Sequence, residues 1–145
     1  MTIWQACVMF IYAIVAAAFF VCGLWQCRRG RAYTRFLPLN IIGAFVWGDA
    51  VVFGLFWLIV SSAILLYGSW WLFLLVFDAF WLVRSIGETI YWLNQQYSTL
   101  DRNPPRRLWF YPLFRDNSVW FVYQTFWQCV TVITFVLLLL LWRQF

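Results

Sequence analysis

Four long apolar stretches, separated by shorter polar ones, dominate the chain. They cover about residues 3–25, 39–66, 70–93 and 119–142. Each exceeds the ~20 residues that a helix needs to cross ~30 Å of hydrocarbon. The pattern therefore predicts an all-α membrane protein, a four-transmembrane-helix bundle that forms a single transmembrane domain over residues 1–145.

The first apolar stretch has a second interpretation as a cleaved signal peptide, because Ala16-Ala17-Ala18 resembles a small-residue cleavage site. However, no positive charge precedes the stretch, and Phe19, Phe20 and Val21 continue it beyond the alanines. We therefore expect this segment to be a membrane helix that is retained.

Eight of the ten arginines lie in two of the polar stretches, the loops 26–38 and 94–118, and one more lies at the C-terminal end. The eight are Arg28, Arg29, Arg31 and Arg35 in the first loop and Arg102, Arg106, Arg107 and Arg115 in the second. The turn near Gly68 carries none. By the positive-inside rule both arginine-rich loops face the cytoplasm, and both termini then lie outside it, an N-out/C-out topology. A bacterial inner membrane is the localisation that this arrangement predicts.

Composition excludes a soluble protein, because 66% of the residues are apolar and only 10% are charged. A soluble domain has roughly 25% charged residues. The basic residues are all arginines, and they give a net charge of +5. Charges this sparse are typical of the residues that orient a protein in a membrane, and they form no basic face that could bind nucleic acid. The predicted partners are therefore the lipid bilayer and other membrane proteins.

Several kinds of chemistry are excluded by missing residue types and motifs. The chain has no histidine, and its four cysteines form no CxxC pair. We find no P-loop, dinucleotide-binding turn, HExxH motif or nucleophile elbow. The sequence therefore predicts no metal site, no cofactor, no catalytic residue and no enzymatic activity.

Three of the charged residues within the apolar stretches form a predicted cluster. Asp49 precedes Gly68 by 19 residues and Glu88 follows it by 20, so a hairpin turning at Gly68 would bring them to similar depth. Arg84 lies one helical turn from Glu88. We expect Arg84 to bridge Asp49 and Glu88 inside the bilayer, where an unpaired charge costs at least ~2.5–3.5 kcal/mol. Such a cluster either ties the helices together or serves a function.

Asp78 is the fourth intramembrane charge, and the sequence places no opposite charge at its depth. One interpretation is a protonated acid hydrogen-bonded to Ser61 or Ser62, and the other is a proton or cation site or a contact with a basic residue of a partner. On the fourth stretch, Gln124, Gln128 and Thr131 share one helical side, a pattern typical of residues that hold membrane helices together.

The second loop contains a stretch of arginines, prolines and aromatic rings that we call the arginine-aromatic segment (residues 102–115). Its candidate contact residues are Arg102, Arg106, Arg107, Trp109 and Arg115. One interpretation is a segment at the membrane surface, with rings among acyl chains and arginines on phosphates. The other is a docking surface for a protein partner, since Trp, Tyr and Arg anchor many interfaces.

Three functions fit these features. The first, which we expect, is a non-catalytic subunit or an assembly or stabilising factor of a larger membrane complex. The second is a small oligomeric transporter or channel that uses the intramembrane carboxylates. The third is a lipid-handling protein. Partner binding or self-association would involve the third helix, where a polar and aromatic stripe runs from Asp78 to Glu88.

Overall fold

The computed structural model describes residues 1–99 and 103–143, and within these ranges the elements are helices, with no strand. The α-helices are α1 (Ile3–Arg28), α2 (Trp47–Tyr67), α3 (Trp70–Tyr97), α4 (Tyr111–Phe114) and α5 (Ser118–Trp142). Two 3-10 helices cover Leu37–Ile42 and Pro105–Arg107. Helices α1, α2, α3 and α5 are long and apolar enough to cross a membrane, which fits an integral membrane protein and confirms the all-α prediction.

The chain divides into two compact units, of which the first covers residues 1–74 and the second begins at Leu75, within α3. The first unit contains α1, α2 and the segment between them. The second contains most of α3, the arginine-aromatic segment and α5. The arrangement of all four long helices as one bundle stays a prediction.

Helices α1 and α2 of the first unit pack antiparallel through small residues. A Cβ added at Gly54 would lie 2.9 Å from the Ala16 carbonyl oxygen and 2.9 Å from the Phe20 nitrogen. Near the other end of the contact, a Cβ at Gly23 would lie 3.1 Å from the Trp47 carbonyl oxygen. Small residues let two membrane helices approach until their backbones nearly touch. Gly23 and Gly54 therefore serve packing within the chain.

The second transmembrane helix begins later than the predicted residue 39. A 3-10 helix at Leu37–Ile42 ends at Gly43, whose φ of 74° is left-handed, and α2 starts only at Trp47. A left-handed residue stops a helix, and glycine adopts this conformation without steric cost. Hydropathy could not locate this break, because the residues on both sides of Gly43 are apolar.

Residues 36–46, which we call the inserted segment, run from the first turn of α2 toward the middle of α1 and α2 and then return. Antiparallel pairing of Val46 with Arg35, the residue just before the segment, brings its two ends together. At its tip, the Trp57 indole nitrogen donates to the Ile42 carbonyl oxygen at 3.2 Å, and the Tyr12 hydroxyl donates to that of Ile41, also at 3.2 Å. The tip is therefore tied to both helices.

The depth of this tip follows from helix geometry. Helix α2 has 21 residues and is about 32 Å long, and Trp57 lies about 15 Å from its first residue. Tyr12 is likewise near the middle of α1. Because the tip bonds to both of these side chains, the inserted segment reaches about half the length of α2.

We expect Trp57→Phe to lower the free energy of unfolding by about 1–3 kcal/mol, because the Ile42 carbonyl loses its indole donor in a buried place. Unfolding of the purified protein in mixed micelles would measure this loss. Trp71→Phe is the matched control, since Trp71 is exposed, and should change stability little. An equal loss in both variants would contradict the anchoring role of Trp57.

In the second unit, α3 and α5 are joined by polar and aromatic contacts. The Thr131 hydroxyl donates to the Ser85 hydroxyl oxygen at 2.9 Å. The Gln96 amide donates to the Gln124 side-chain oxygen at 2.5 Å. The last bond explains why α3 continues to Tyr97, four residues beyond the predicted end, since its polar final turn is still packed against α5.

Candidate functional site

Arg84 and Glu88 form an ion pair on one face of α3. The Arg84 Nη1 lies 2.8 Å from the Glu88 Oε1, and the two side chains are only 17% and 12% exposed. The Trp92 indole nitrogen donates to the second Glu88 oxygen at 3.2 Å. Both carboxylate oxygens are thus engaged, as the burial of a charged group requires.

The sequence predicts Asp49 in the interior of a longer helix, but the structure places it near a helix start. It is in the first turn of α2, where its Oδ2 accepts a hydrogen bond from the Phe45 backbone N–H at 3.3 Å. A carboxylate is favourable at the start of a helix because of the helix dipole. Asp49 belongs to the first unit and Arg84 and Glu88 to the second, so the three-residue cluster stays a prediction.

Asp78 is buried within α3, with 8% of its surface exposed. Its Oδ2 has no hydrogen-bond partner among the described residues. The same is true of the hydroxyl oxygen of Ser61 in the first unit. The hydrogen bond between Asp78 and a serine stays a prediction. A buried carboxyl group with an unsatisfied oxygen is able to take up a proton or to contact a cation.

The arginine-aromatic segment is folded onto the ends of α3 and α5. The Asn103 side-chain amide donates to the Tyr91 hydroxyl, and the Trp120 indole nitrogen donates to the Asn103 carbonyl oxygen at 3.0 Å. Leu108, which belongs to the segment, is buried. Arg102, which the sequence places in this group, lies outside the described residues.

The outer side of the same segment combines positive charge with apolar surface. The side chains of Arg106, Arg107 and Arg115 are exposed, and Trp109 is 85% exposed. Asp116 follows directly, and the Ser118 hydroxyl that donates to its carboxylate holds its pKa below the usual range. Asp116 therefore remains ionised and offsets part of the arginine charge.

The inserted segment presents two different sides. Leu39 and Ile42 are fully buried, whereas Leu37 is 75% exposed and Asn40 and Ile41 are also exposed. Sequence reasoning missed this element, because it took the whole apolar stretch 39–66 as one membrane helix. The signal that could have revealed it is Pro38 followed five residues later by Gly43, since both residues interrupt a long α-helix.

Two open grooves run along the helix pairs. One, of about 390 Å³, runs between α1 and α2, and Ser62 is its only polar lining residue. The other, of about 230 Å³, lies between α3 and α5; its lining residues are Ile86, Thr89, Ile90, Gln128, Thr131 and Val132. Neither groove contains a titratable side chain, so neither offers acid–base or nucleophilic chemistry.

Comparison with known proteins identifies no family. No family model matches the chain, and no curated protein and no solved structure is significantly similar to it.

Proposed function

We propose that the protein is a non-catalytic subunit or an assembly or stabilising factor of a larger membrane complex. The observation that supports this function most strongly is the inserted segment. Its tip reaches the middle of α1 and α2, yet Leu37, Asn40 and Ile41 form a side that the rest of the first unit leaves exposed.

Backbone that is not α-helical is stable inside a bilayer only where protein covers it or where it lines a water-filled cavity. The Asn40 side chain strengthens this requirement, because an exposed amide in hydrocarbon lacks hydrogen-bond partners and costs several kcal/mol. A membrane-protein partner that packs on this side would cover the 3-10 helix and bond to the amide. Such a partner is the defining feature of a complex subunit.

Three of the four charged residues within the apolar stretches are bonded within the chain, which favours a structural role over catalysis. Arg84, Glu88 and Trp92 bond to one another, and Asp49 bonds to the start of its own helix. The two grooves are lined by apolar and uncharged residues. A subunit that acts by binding other proteins does not need catalytic groups.

The arginine-aromatic segment supplies a second surface for the same function. The hydrogen bonds of Asn103 with Tyr91 and Trp120 attach the segment to α3 and α5 before any partner binds, which lowers the entropic cost of docking. The arginine bias assigns this surface to the cytoplasmic side, and a bacterial inner membrane is the localisation that we propose.

A photo-crosslinking residue in the inserted segment tests this function. With the probe at Leu37, we expect crosslinks to one membrane protein that also copurifies in fixed proportion in mild detergent. With the probe at Val52, which is similarly exposed but lies on the body of α2, we expect lipid adducts only. Lipid adducts alone at both positions would contradict the proposal and favour a lipid-handling protein.

The second candidate, a small oligomeric transporter or channel, is favoured by Asp78 with its unsatisfied oxygen. In that case the Leu37 probe would crosslink only to further copies of this chain. Liposomes containing the protein would also conduct protons or cations, and Asp78→Asn would abolish the flux. A hetero-complex without flux separates the first function from the second.

A further inference from the structure

One face of α5 carries a regular repeat of side chains that are mostly exposed. Its members alternate in steps of four and three residues: Phe121, Thr125, Gln128, Val132, Phe135, Leu139 and Trp142. A spacing that averages 3.5 residues is the a/d pattern of left-handed helix pairs. All of these side chains except Thr125, which is half-buried, are exposed.

The polar residues of α5 divide between the interior of the unit and this exposed face. Gln124 bonds to Gln96 and Thr131 bonds to Ser85, so both belong to the contact with α3. Gln128 is exposed, and no described residue hydrogen-bonds its amide. The three residues that share one helical side in the sequence therefore serve two different surfaces.

The depth of Gln128 makes its exposure costly. It lies near the middle of α5, which covers Ser118–Trp142, so with α5 across the bilayer the amide is about 15 Å from either surface. A glutamine side chain is too short to reach water from that depth. An amide exposed to hydrocarbon leaves its donors and its acceptor unsatisfied, which costs several kcal/mol.

We propose that the heptad face of α5 is a homodimer interface, in which α5 of one copy pairs in parallel with α5 of a second copy and the two Gln128 amides bond to each other. The groove beside Gln128, between α3 and α5, adds Ile86 and Ile90 to the margin of this contact.

A second copy fits this face better than an unrelated helix for two reasons. Copies that insert with the same topology place Gln128 at the same depth, so a two-fold axis along the membrane normal brings each residue of the repeat against itself. An amide is also its own complement, because its N–H group donates to the carbonyl oxygen of an identical amide. A single polar residue among apolar ones then fixes the register of the pair.

This interface does not depend on the proposed function. The partner surface argued above lies on the inserted segment of the first unit, whereas the dimer face lies on α5. Either one can fail while the other is confirmed, because the crosslinking positions and the variants are different.

Cysteine crosslinking in membranes tests the geometry directly. In full-length protein whose four native cysteines are replaced by serine, Phe135→Cys should give disulfide-linked dimers, since residues that face each other in such pairs come within bonding range. Ile133→Cys is the matched control, because Ile133 is equally exposed but lies about 140° around the helix from Gln128. Equal dimer yields from both positions would overturn the proposal.

The amide is tested by the fraction of dimer in vesicles, measured by energy transfer between labelled copies as the protein is diluted in lipid. Gln128→Leu should weaken association about 3- to 30-fold, and Gln128→Asn should retain most of it. Phe126→Leu, on the opposite side of α5, should have no effect. A monomeric wild type, unchanged association of Gln128→Leu, or a Phe135→Cys crosslink to a different protein would each overturn the proposal.

Discussion

Gly54→Val should be among the most destabilising single substitutions in this chain, with a loss of about 3 kcal/mol or more in the free energy of unfolding. The first added carbon would lie 2.9 Å from the backbone of α1 at two points, closer than real Cβ contacts come. Both atoms belong to backbone and have no rotamer by which to move away. The helices must therefore separate, and the packing along α1 and α2 is lost with them.

A graded series makes this prediction specific. Gly54→Ala should cost about 1–3 kcal/mol and Gly54→Val more, because valine adds two further carbons at the same contact. Gly87→Ala is the matched control: a Cβ there meets nothing within 4 Å, and alanine favours a helix over glycine by about 1 kcal/mol. Unfolding in mixed micelles would measure all three, and a Gly54→Ala variant as stable as Gly87→Ala would show that α1 and α2 do not approach so closely.

The same close approach has a consequence for the inserted segment. Tyr12 and Trp57 hold the tip from two different helices, so the tip keeps its position only while α1 and α2 stay in contact. A substitution at Gly54 should therefore also release residues 36–46, although the atoms nearest to the added carbon belong to α1. Packing in the helix pair and the shape of the proposed partner surface are coupled through these two side chains.

The helical spans could be predicted from the sequence because a bilayer imposes one dominant rule, that about 20 consecutive residues must be apolar. That rule located α1, α3 and α5 to within a few residues, and it located the turn at Gly68, whose φ of 78° is left-handed. The i, i+4 spacing likewise predicted the pairing of Arg84 with Glu88, because helix geometry alone brings such residues together.

The remaining features could not be predicted because they depend on contacts distant in sequence. An apolar residue is equally suited to a membrane helix and to a buried 3-10 helix, so Leu39 and Ile42 did not reveal the inserted segment. Gln124, Gln128 and Thr131 share a helical side, and only the positions of Gln96 and Ser85 show that Gln128 is the one left exposed. Periodicity identifies a face, but not what covers it.

Arg84→Leu should lower the free energy of unfolding by about 3–5 kcal/mol, because it leaves the Glu88 carboxylate buried without its counter-charge. The double variant Arg84→Leu with Glu88→Gln should recover most of this loss. A glutamine carries no charge to be stranded, and its side-chain oxygen still accepts the hydrogen bond from Trp92. Unfolding in mixed micelles would compare the two, and equal instability would show that the ion pair is not what Arg84 contributes.

The Arg84→Leu variant also serves to decide whether Asp49 belongs to the charged cluster. If Arg84 also bridges to Asp49, Arg84→Leu strands two carboxylates, and adding Asp49→Asn should restore part of the stability by removing one of them. If Asp49 serves only the start of α2, the asparagine side chain still accepts from the Phe45 N–H, and the second substitution should restore nothing. Equal stability of Arg84→Leu and its combination with Asp49→Asn would thus remove Asp49 from the cluster and leave Arg84 with Glu88 as its partner on α3.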